Sequence, residues 1–374
     1  MTVTMVSTAS SRIKDDTGFT MIEVMVGAVL SLIVVAAALA LLMVSQKTTI
    51  INGQVAATQQ NSRSAMDLLA RDLKLASYSY VGNDPAAPTI GTCSVSSGTM
   101  TIPVGLRPND RNPAGADNGP DGISMVVPVL NDVVAPWVLS ANVGGTGPGP
   151  VPFNTVPLSA AVVADMASQG LAAGSVISIS GADARIVQSV GATSLTLSTN
   201  YEAKFPLGAP VYLLQCVTYA ISTAPAVCGP GSATCLTRNG VALVDGVEDI
   251  QFSYGCDGCN ATAPNPALPD GIVDQQSGGA FSGTGPSSSD FVTNSAWNVA
   301  PMTPDKIKQV RVTIVARQLQ TDGGFGEVSV SGVNTTGPVI VSDHNPSADA
   351  GYNATTYSKL RRRVVTKIIQ PRNL

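Results

Sequence analysis

The sequence has few charged residues. Asp, Glu, Lys and Arg make up 12% of the 374 residues, about half the usual share, and the formal net charge is −4. Nucleic-acid binding depends on clustered Lys and Arg, so this balance argues against a surface that follows a phosphate backbone. The one dense basic cluster, Arg361–Arg363, adjoins an apolar run, and we expect a solvated strand edge there.

The sequence also lacks the usual patterns of catalytic and cofactor sites. No phosphate-binding glycine motif or dinucleotide fingerprint occurs in a strand–turn–helix context. The single histidine, His344, lies in the stretch SDHNPS without a nucleophile elbow, and we expect a solvated loop residue. Glu248 and Asp249 are adjacent in a predicted strand, so their side chains should point to opposite faces rather than act as a pair. We therefore expect no enzyme activity and no cofactor.

Six cysteines are present, an even number in a chain rich in Gly and Pro. This pattern indicates disulfides and an oxidising compartment. Proximity in the sequence pairs the last four, which leaves the first two to each other: Cys93–Cys216, Cys228–Cys235 and Cys256–Cys259. Zinc binding by the last four, or free thiols, are the alternatives, although only the last pair has the two-residue spacing of a zinc knuckle.

A membrane-length apolar run occupies Met21–Val44, and its only charged residue is Glu23. As a helix the run would span roughly 36 Å, enough for a bilayer core of about 30 Å. A secretory signal peptide would have a shorter apolar region, of about 7–15 residues, closed by a small-residue cleavage site. An ordinary membrane anchor explains the length but assigns no role to Glu23.

The stretch GFTMIE at residues 18–23 resembles the prepilin motif of type IV pilins and type II secretion pseudopilins. The resemblance implies that residues 1–18 are a leader, and that a membrane peptidase cuts after Gly18 and methylates the new N-terminal residue, Phe19. It also implies that Glu23 neutralises the N-terminal amine of a neighbouring subunit in an apolar filament core. The alternative is a glutamate that reaches the lipid headgroups from the helix end.

The helical pattern continues beyond the apolar run and ends at Gly82–Pro85. We expect one helix over residues 19–80, with its membrane-spanning part at about 21–44. Its second half is amphipathic and suited to packing against a domain.

Residues 83–374 alternate short β-branched runs with Gly, Pro, Ser and Asn, which is typical of an antiparallel sheet domain. The predicted fold class is α+β, with the long helix packed on a large antiparallel sheet domain, as in type IV pilins. One further helix is expected near Ala160–Gln169. Strands are expected at Gly122–Val129, Ser175–Ser180, Ala184–Val190, Ser194–Ser198, Val211–Ile221, Leu236–Val244, Val247–Tyr254, Lys308–Gln318, Glu327–Val333 and Arg363–Gln370.

Three stretches of the body resemble the PilW group of minor pilins: LVDGVEDIQFSYG at residues 243–255, KQVRVTIVARQ at 308–318, and KLRRRVVTKIIQPRNL at 359–374. The resemblance implies a minor pilin of a type IV pilus, in the complex that primes assembly or caps the tip. A type II secretion pseudopilin, or an adhesive or ligand-binding module displayed on the filament, are the alternatives.

The same resemblance implies partners and a location. The expected partners are other minor pilins, the major pilin, the prepilin peptidase and the inner-membrane assembly platform, with no nucleic acid. The precursor would cross the inner membrane once, with its C-terminal domain in the periplasm, and later reach the pilus.

A group of loop carboxylates follows the predicted FSYG strand: Asp257, Asp270 and Asp274. Clustered carboxylates beside a turn glycine could hold Ca²⁺ through oxygen ligands. Their spacing does not match an EF-hand loop, and Asp-Gly is also a turn signal, so a solvated loop is the favoured interpretation.

Overall fold

The computed structural model describes residues 19–78, 88–97, 99–112, 115, 117–129, 136–259, 273, 290–298, 300, 302–321 and 337–372. The chain divides into two compact units, Met1–Gly53 and Gln54–Leu374. Four features predicted from the sequence lie outside the described residues: Gly18 with the leader, Asp270, Asp274, and the strand Glu327–Val333.

The first element is a long helix, α1 (Met21–Leu75), which crosses the boundary between the two units. It is shorter at both ends than the predicted helix over 19–80, because it starts after Thr20 and gives way to a turn after Leu75. In its C-terminal part, Met66, Leu69 and Leu73 recur at the three- and four-residue spacing of one helix face, and all three are buried. This face attaches α1 to the β-rich body.

The body is built from antiparallel strands, and fifteen lie within the described residues. They form three sheets. A two-stranded sheet contains β1 (Ser94–Ser97) and β2 (Met100–Pro103). A four-stranded sheet contains β12 (Val247–Cys256), β13 (Phe291–Val292), β14 (Ile307–Arg317) and β15 (Arg362–Ile369), in the order β13-β12-β14-β15.

The third sheet has nine strands: β3 (Leu106–Asn109), β4 (Gly122–Pro128), β5 (Phe153–Pro157), β6 (Val176–Ile179), β7 (Arg185–Val190), β8 (Ser194–Tyr201), β9 (Val211–Ser222), β10 (Cys235–Arg238) and β11 (Val241–Asp245). Seven follow the order β11-β10-β9-β6-β7-β8-β5, while β4 pairs with β9 and β3 with β4. The other described elements are three short α-helices, α2 (Ala160–Ser168), α3 (Pro225–Cys228) and α4 (Ala354–Ser358), and two 3-10 helices, Pro304–Lys306 and Pro346–Ala348. The α+β class is confirmed, and α2 lies where the sequence predicted a helix.

One predicted strand is wrong: the segment Leu236–Val244 is a hairpin of β10 and β11 rather than a single strand. Asn239 and Gly240 form its turn with φ values of 52° and 77°. Two consecutive positive φ values match the backbone twist of paired strands, and Asn-Gly is the dipeptide that tolerates them best. Because apolar residues flank the turn on both sides, the segment has the pattern of one continuous strand.

Two large hydrophobic cores and one smaller cluster stabilise the described part of the body. The larger one joins α1 to both large sheets through buried residues such as Leu69, Ile123, Tyr219, Phe252 and Ile314. A second core lies within residues 137–213 and packs α2 against β5 to β8. The body therefore has a main core beneath the helix and a separate core that the helix does not enter.

A buried charge fastens α1 to the nine-stranded sheet. Asp72 is 2% exposed, and its Oδ2 atom accepts hydrogen bonds from the hydroxyl of Tyr219 at 2.7 Å and from Nε of Arg238 at 2.9 Å. Burial and the neighbouring Asp72 raise the pKa of Tyr219, which keeps its hydroxyl a donor. A buried carboxylate is tolerated only when its lone pairs are satisfied, so this contact also fixes the rotation of the helix on the sheet.

We predict that Asp72→Ala destabilises the body, because it leaves the Tyr219 hydroxyl and the Arg238 guanidinium without their acceptor. The expected loss in the free energy of unfolding is about 3 kcal/mol. The matched control is Asp67→Ala on the same helix, whose side chain is 77% exposed and lies 3.8 Å from Lys367; that pair should contribute less than about 1 kcal/mol. Urea unfolding of the detergent-solubilised chain measures both. Equal losses in the two variants would contradict this account of Asp72.

Candidate functional site

The segment around the predicted processing point lies at the start of α1. Phe19 is 84% exposed and precedes the first helical residue. The carbonyl of Thr20 accepts the first helical hydrogen bond, from Val24 N at 3.2 Å, so Thr20 is the N-cap residue. The residue that would follow the cut is therefore accessible and outside the helix.

Thr20 and Glu23 cap the helix reciprocally. Thr20 Oγ1 accepts a hydrogen bond from Glu23 N at 3.3 Å, and Glu23 Oε2 accepts hydrogen bonds from Thr20 N at 3.2 Å and Thr20 Oγ1 at 3.1 Å. This is a capping box, in which each side chain satisfies a backbone donor that the helix leaves open. The Thr-x-x-Glu pattern signals it in the sequence, although it was not predicted. Glu23 thus has a local partner in the single chain.

The apolar part of α1 exposes its side chains all round. Leu32, Val34 and Leu41 are 71%, 67% and 72% exposed. Among the described residues, α1 is the one helix that is long and apolar enough to cross a membrane, and its most apolar 18-residue window is not buried at all. Such a surface needs lipid or other apolar helices around it.

The six cysteines form three disulfides, Cys93–Cys216, Cys228–Cys235 and Cys256–Cys259. These are the pairs favoured by proximity in the sequence, and they leave no thiolate for the zinc alternative. The first disulfide connects the segment before β1 to β9 across a separation of 123 residues. A bridge over so long a loop restricts the unfolded chain strongly.

His344 is not the solvated loop residue expected from the sequence. Its side chain is 2% exposed, with Nδ1 2.8 Å from Asp249 Oδ2 and Nε2 2.8 Å from Asp349 Oδ1. Burial alone would lower the pKa of His344, but the hydrogen bonds and charges of the two carboxylates outweigh it and raise the pKa to about 9. The imidazolium therefore connects β12 to the segment that precedes α4.

Glu248 and Asp249 do not point to opposite faces as predicted, since both line one cavity of about 440 Å³ beside His344. The pairing of β12 with β14 shifts register between Val247 and Asp249, and this bulge breaks the strict alternation of side chains. Glu248 is held by Arg317 at 3.3 Å and by Arg362 Nη2 at 2.9 Å. Both carboxylates are therefore engaged in ion pairs of the fold.

The described member of the predicted calcium group, Asp257, is 3% exposed and follows β12. A different acidic cluster, which was not predicted, contains Asp110, Asp117 and Asp121 between β3 and β4. Burial, with repulsion from neighbouring carboxylates, raises the pKa of Asp117 to about 7; burial likewise raises the pKa of Asp121 to about 9, although Phe252 N donates to it. No recognisable spacing motif marks these three residues in the sequence.

We predict that His344 makes stability depend on pH. Its pKa is higher in the folded chain than the unfolded value of about 6.5, so its contribution is complete below that pH and is lost as the pH rises through about 9. The difference in unfolding free energy between wild type and His344→Gln should fall by on the order of 3 kcal/mol between about pH 6 and pH 10. Urea titrations of both proteins at several pH values test this, and a difference that stays constant would mean that the folded imidazole is neutral.

Two family models match the chain. The prokaryotic N-terminal methylation motif matches residues 13–39, which include the capping box and much of the apolar run. The type IV pilus-assembly protein W model (PilW) matches residues 214–373, from within β9 to just beyond β15. No curated protein and no solved structure matches the chain significantly. With the long apolar helix and the antiparallel body, these matches support a PilW-type minor pilin of the type IV pilus.

Proposed function

We propose that this minor pilin works in the complex that primes pilus assembly or caps the filament tip. The observation that carries the proposal is the exposed apolar part of α1 with its single carboxylate at the head, Glu23. Such a helix needs an apolar environment twice, as a membrane segment before assembly and as a core helix of the filament after it.

In this proposal the prepilin peptidase removes residues 1–18 and methylates the amine of Phe19. The precursor crosses the inner membrane once, with the body in the periplasm, and the assembly platform transfers it into the filament. There it contacts other minor pilins and the major pilin through α1. The exposed, non-helical backbone at Phe19 and Thr20 supports cleavage at this point, because a peptidase acts on an extended segment rather than on a helix.

Glu23 joins neighbouring subunits in the assembled filament. Within the described first turns of α1, the carboxylate accepts hydrogen bonds from Thr20, and no cationic side chain follows until Lys47. The N-terminal amine of an adjacent Phe19 supplies a cation when helices pack side by side. In an apolar core the ion pair is far more favourable than either charge alone, and it also fixes the axial position of one helix relative to the next.

A terminal position in the filament is supported by the size of the body. The second core, within residues 137–213, precedes the region that the PilW family model matches. A subunit with this additional module fits more easily at an end of the filament than in a repeating lattice, where every body has neighbours above and below. The type II secretion pseudopilin and the displayed adhesive module remain the competing functions.

We predict that Gly18→Val blocks processing, because a branched side chain replaces the residue before the cut. Wild-type chain from sheared filaments should begin at N-methylated Phe19, and the variant should keep its leader and stay in the membrane. Intact-mass spectrometry of both fractions measures this. Filament-borne chain that begins at Met1 would contradict processing and assembly together.

We further predict that Glu23→Ala lowers incorporation into filaments without unfolding the body. Glu23→Gln should have an intermediate effect, because it keeps the hydrogen-bonding oxygen of the capping box but loses the charge. The matched control is Thr20→Ala, which removes the cap at a cost of about 1 kcal/mol but keeps the carboxylate. The measurement is the ratio of chain in sheared filaments to chain in membranes.

The relative incorporation of the three variants distinguishes the two roles of Glu23, as a partner in assembly and as a helix cap. If the charge serves assembly, Thr20→Ala should incorporate nearly as well as wild type while Glu23→Ala fails. If Thr20→Ala fails equally, Glu23 acts only as a helix cap. If the alanine variant at Glu23 matches wild type, the inter-subunit ion pair does not exist.

A further inference from the structure

Three carboxylates converge in the body, far along the chain from Glu23: Asp117 and Asp121 are buried, and Asp110 is half-buried. Asp110 follows β3, and Asp117 and Asp121 precede β4. Each offers an oxygen that lies within 4.8 Å of the others, and Asp117 and Asp121 are only 1% and 3% exposed. Like charges this close are strongly unfavourable when they are removed from water.

Backbone N–H groups hold two of the carboxylates in place. Asp110 accepts hydrogen bonds from Asn112 N at 2.8 Å and Ser295 N at 3.2 Å, and Asp121 accepts them from Arg111 N at 3.1 Å and Phe252 N at 2.9 Å. These donors come from the β3–β4 connection, from β12 and from the segment after β13. The cluster is thus built from three parts of the body and is oriented before any ligand arrives.

Asp117 carries the observation that points to a ligand. Its Oδ1 accepts a hydrogen bond from Asn112 N at 3.2 Å, but its buried Oδ2 accepts none from the described residues. Within the described residues, no Lys, Arg or His forms an ion pair with any of the three carboxylates. Asp343 adds further negative charge near Asp110 and Asp117. A fully buried carboxylate oxygen without a donor is rare in a folded protein unless something else coordinates it.

We propose that Asp110, Asp117 and Asp121 form a Ca²⁺ site that joins the β3–β4 connection to the four-stranded sheet. The donor set contains only oxygen, which selects a hard cation over zinc or copper. Three carboxylates from one irregular connection suit the variable coordination of Ca²⁺ better than the strict octahedron of Mg²⁺, which keeps much of its water. The site is distinct from the group around Asp257 that the sequence suggested.

The cation stabilises the contact between the two large sheets. Asp121 N donates to Ile250 O at 2.9 Å, and Gln251 Nε2 donates to Gly119 O at 3.3 Å, so the β3–β4 connection already lies against β12. Repulsion among the carboxylates opposes this contact, and a bound divalent ion removes the repulsion. Because the ion binds the folded chain and not the unfolded one, it should raise the melting temperature.

Terbium luminescence tests the site directly, because Tb³⁺ replaces Ca²⁺ and emits when a nearby aromatic ring absorbs light. Tyr254 is buried in β12, two residues beyond Phe252, whose backbone N donates to Asp121. The Trp297 ring lies 5.2 Å from that of Tyr254. The full chain in detergent should therefore give Tb³⁺ emission on aromatic excitation, and Ca²⁺ should displace it more effectively than Mg²⁺.

The matched variants are Asp117→Asn and Asp257→Asn, which each remove one buried charge. Asp117→Asn should weaken Tb³⁺ and Ca²⁺ binding by about tenfold or more, and Asp257→Asn should leave both unchanged. Wild type should melt a few degrees higher in Ca²⁺ than in chelator. The wild-type measurements decide the question even if a variant does not fold.

Absence of sensitised emission together with an unchanged melting temperature in wild type would overturn the proposal and leave the carboxyls neutralised by protons. If Asp257→Asn abolishes the Tb³⁺ emission and Asp117→Asn does not, the ion binds at another site and the proposal is wrong. Stronger displacement by Mg²⁺ than by Ca²⁺ would overturn the choice of cation.

Discussion

The main physical constraint on this chain is the apolar surface at the start of α1, which is exposed among the described residues. Hydrophobic side chains such as Leu32 and Leu41 are more than two-thirds exposed. Water is an unfavourable environment for such a surface, so lipid or other helices must surround it. A lone carboxylate at its head then restricts which partners fit, because the charge must meet a cation or stay near water. Length and charge pattern together favour a filament subunit over a simple anchor.

The C-terminal part of α1 is amphipathic, and its apolar face is buried against the body. Leu69 and Leu73 are buried in a core shared with both large sheets, and Asp72 places a fully satisfied charge between them. The N-terminal part of α1 is therefore exposed and apolar, whereas contacts with the sheets fix the rotation of its C-terminal part. Of the three disulfides, Cys93–Cys216 joins distant parts of the body, while the other two close short loops.

Much of this architecture could be predicted from the sequence, and the failures have physical causes. The 3.6-residue period of α1 and the alternation in β9 and β14 are local signals, so the sequence contains them in full. The fold of the His344 region is not local: its two carboxylate partners lie 95 and 5 residues away, and a bulge at Glu248 overturns the expected alternation. The acidic cluster lies in one connection, but its burial and its backbone donors depend on contacts with β12 and with the segment after β13. By contrast, the capping box at Thr20 and the turn at Asn239-Gly240 are short local motifs, so the sequence alone is enough to predict both.

The central claim is that the apolar part of α1 exchanges a lipid environment for a protein one. A photo-crosslinking amino acid at position 32, where Leu32 is 71% exposed, tests it most directly. After irradiation, chain in the membrane fraction should crosslink to lipid, and chain in sheared filaments should crosslink to the helix of another pilin. Crosslinks to lipid in every fraction, with none to a pilin in filaments, would contradict the account and leave α1 as a membrane anchor only.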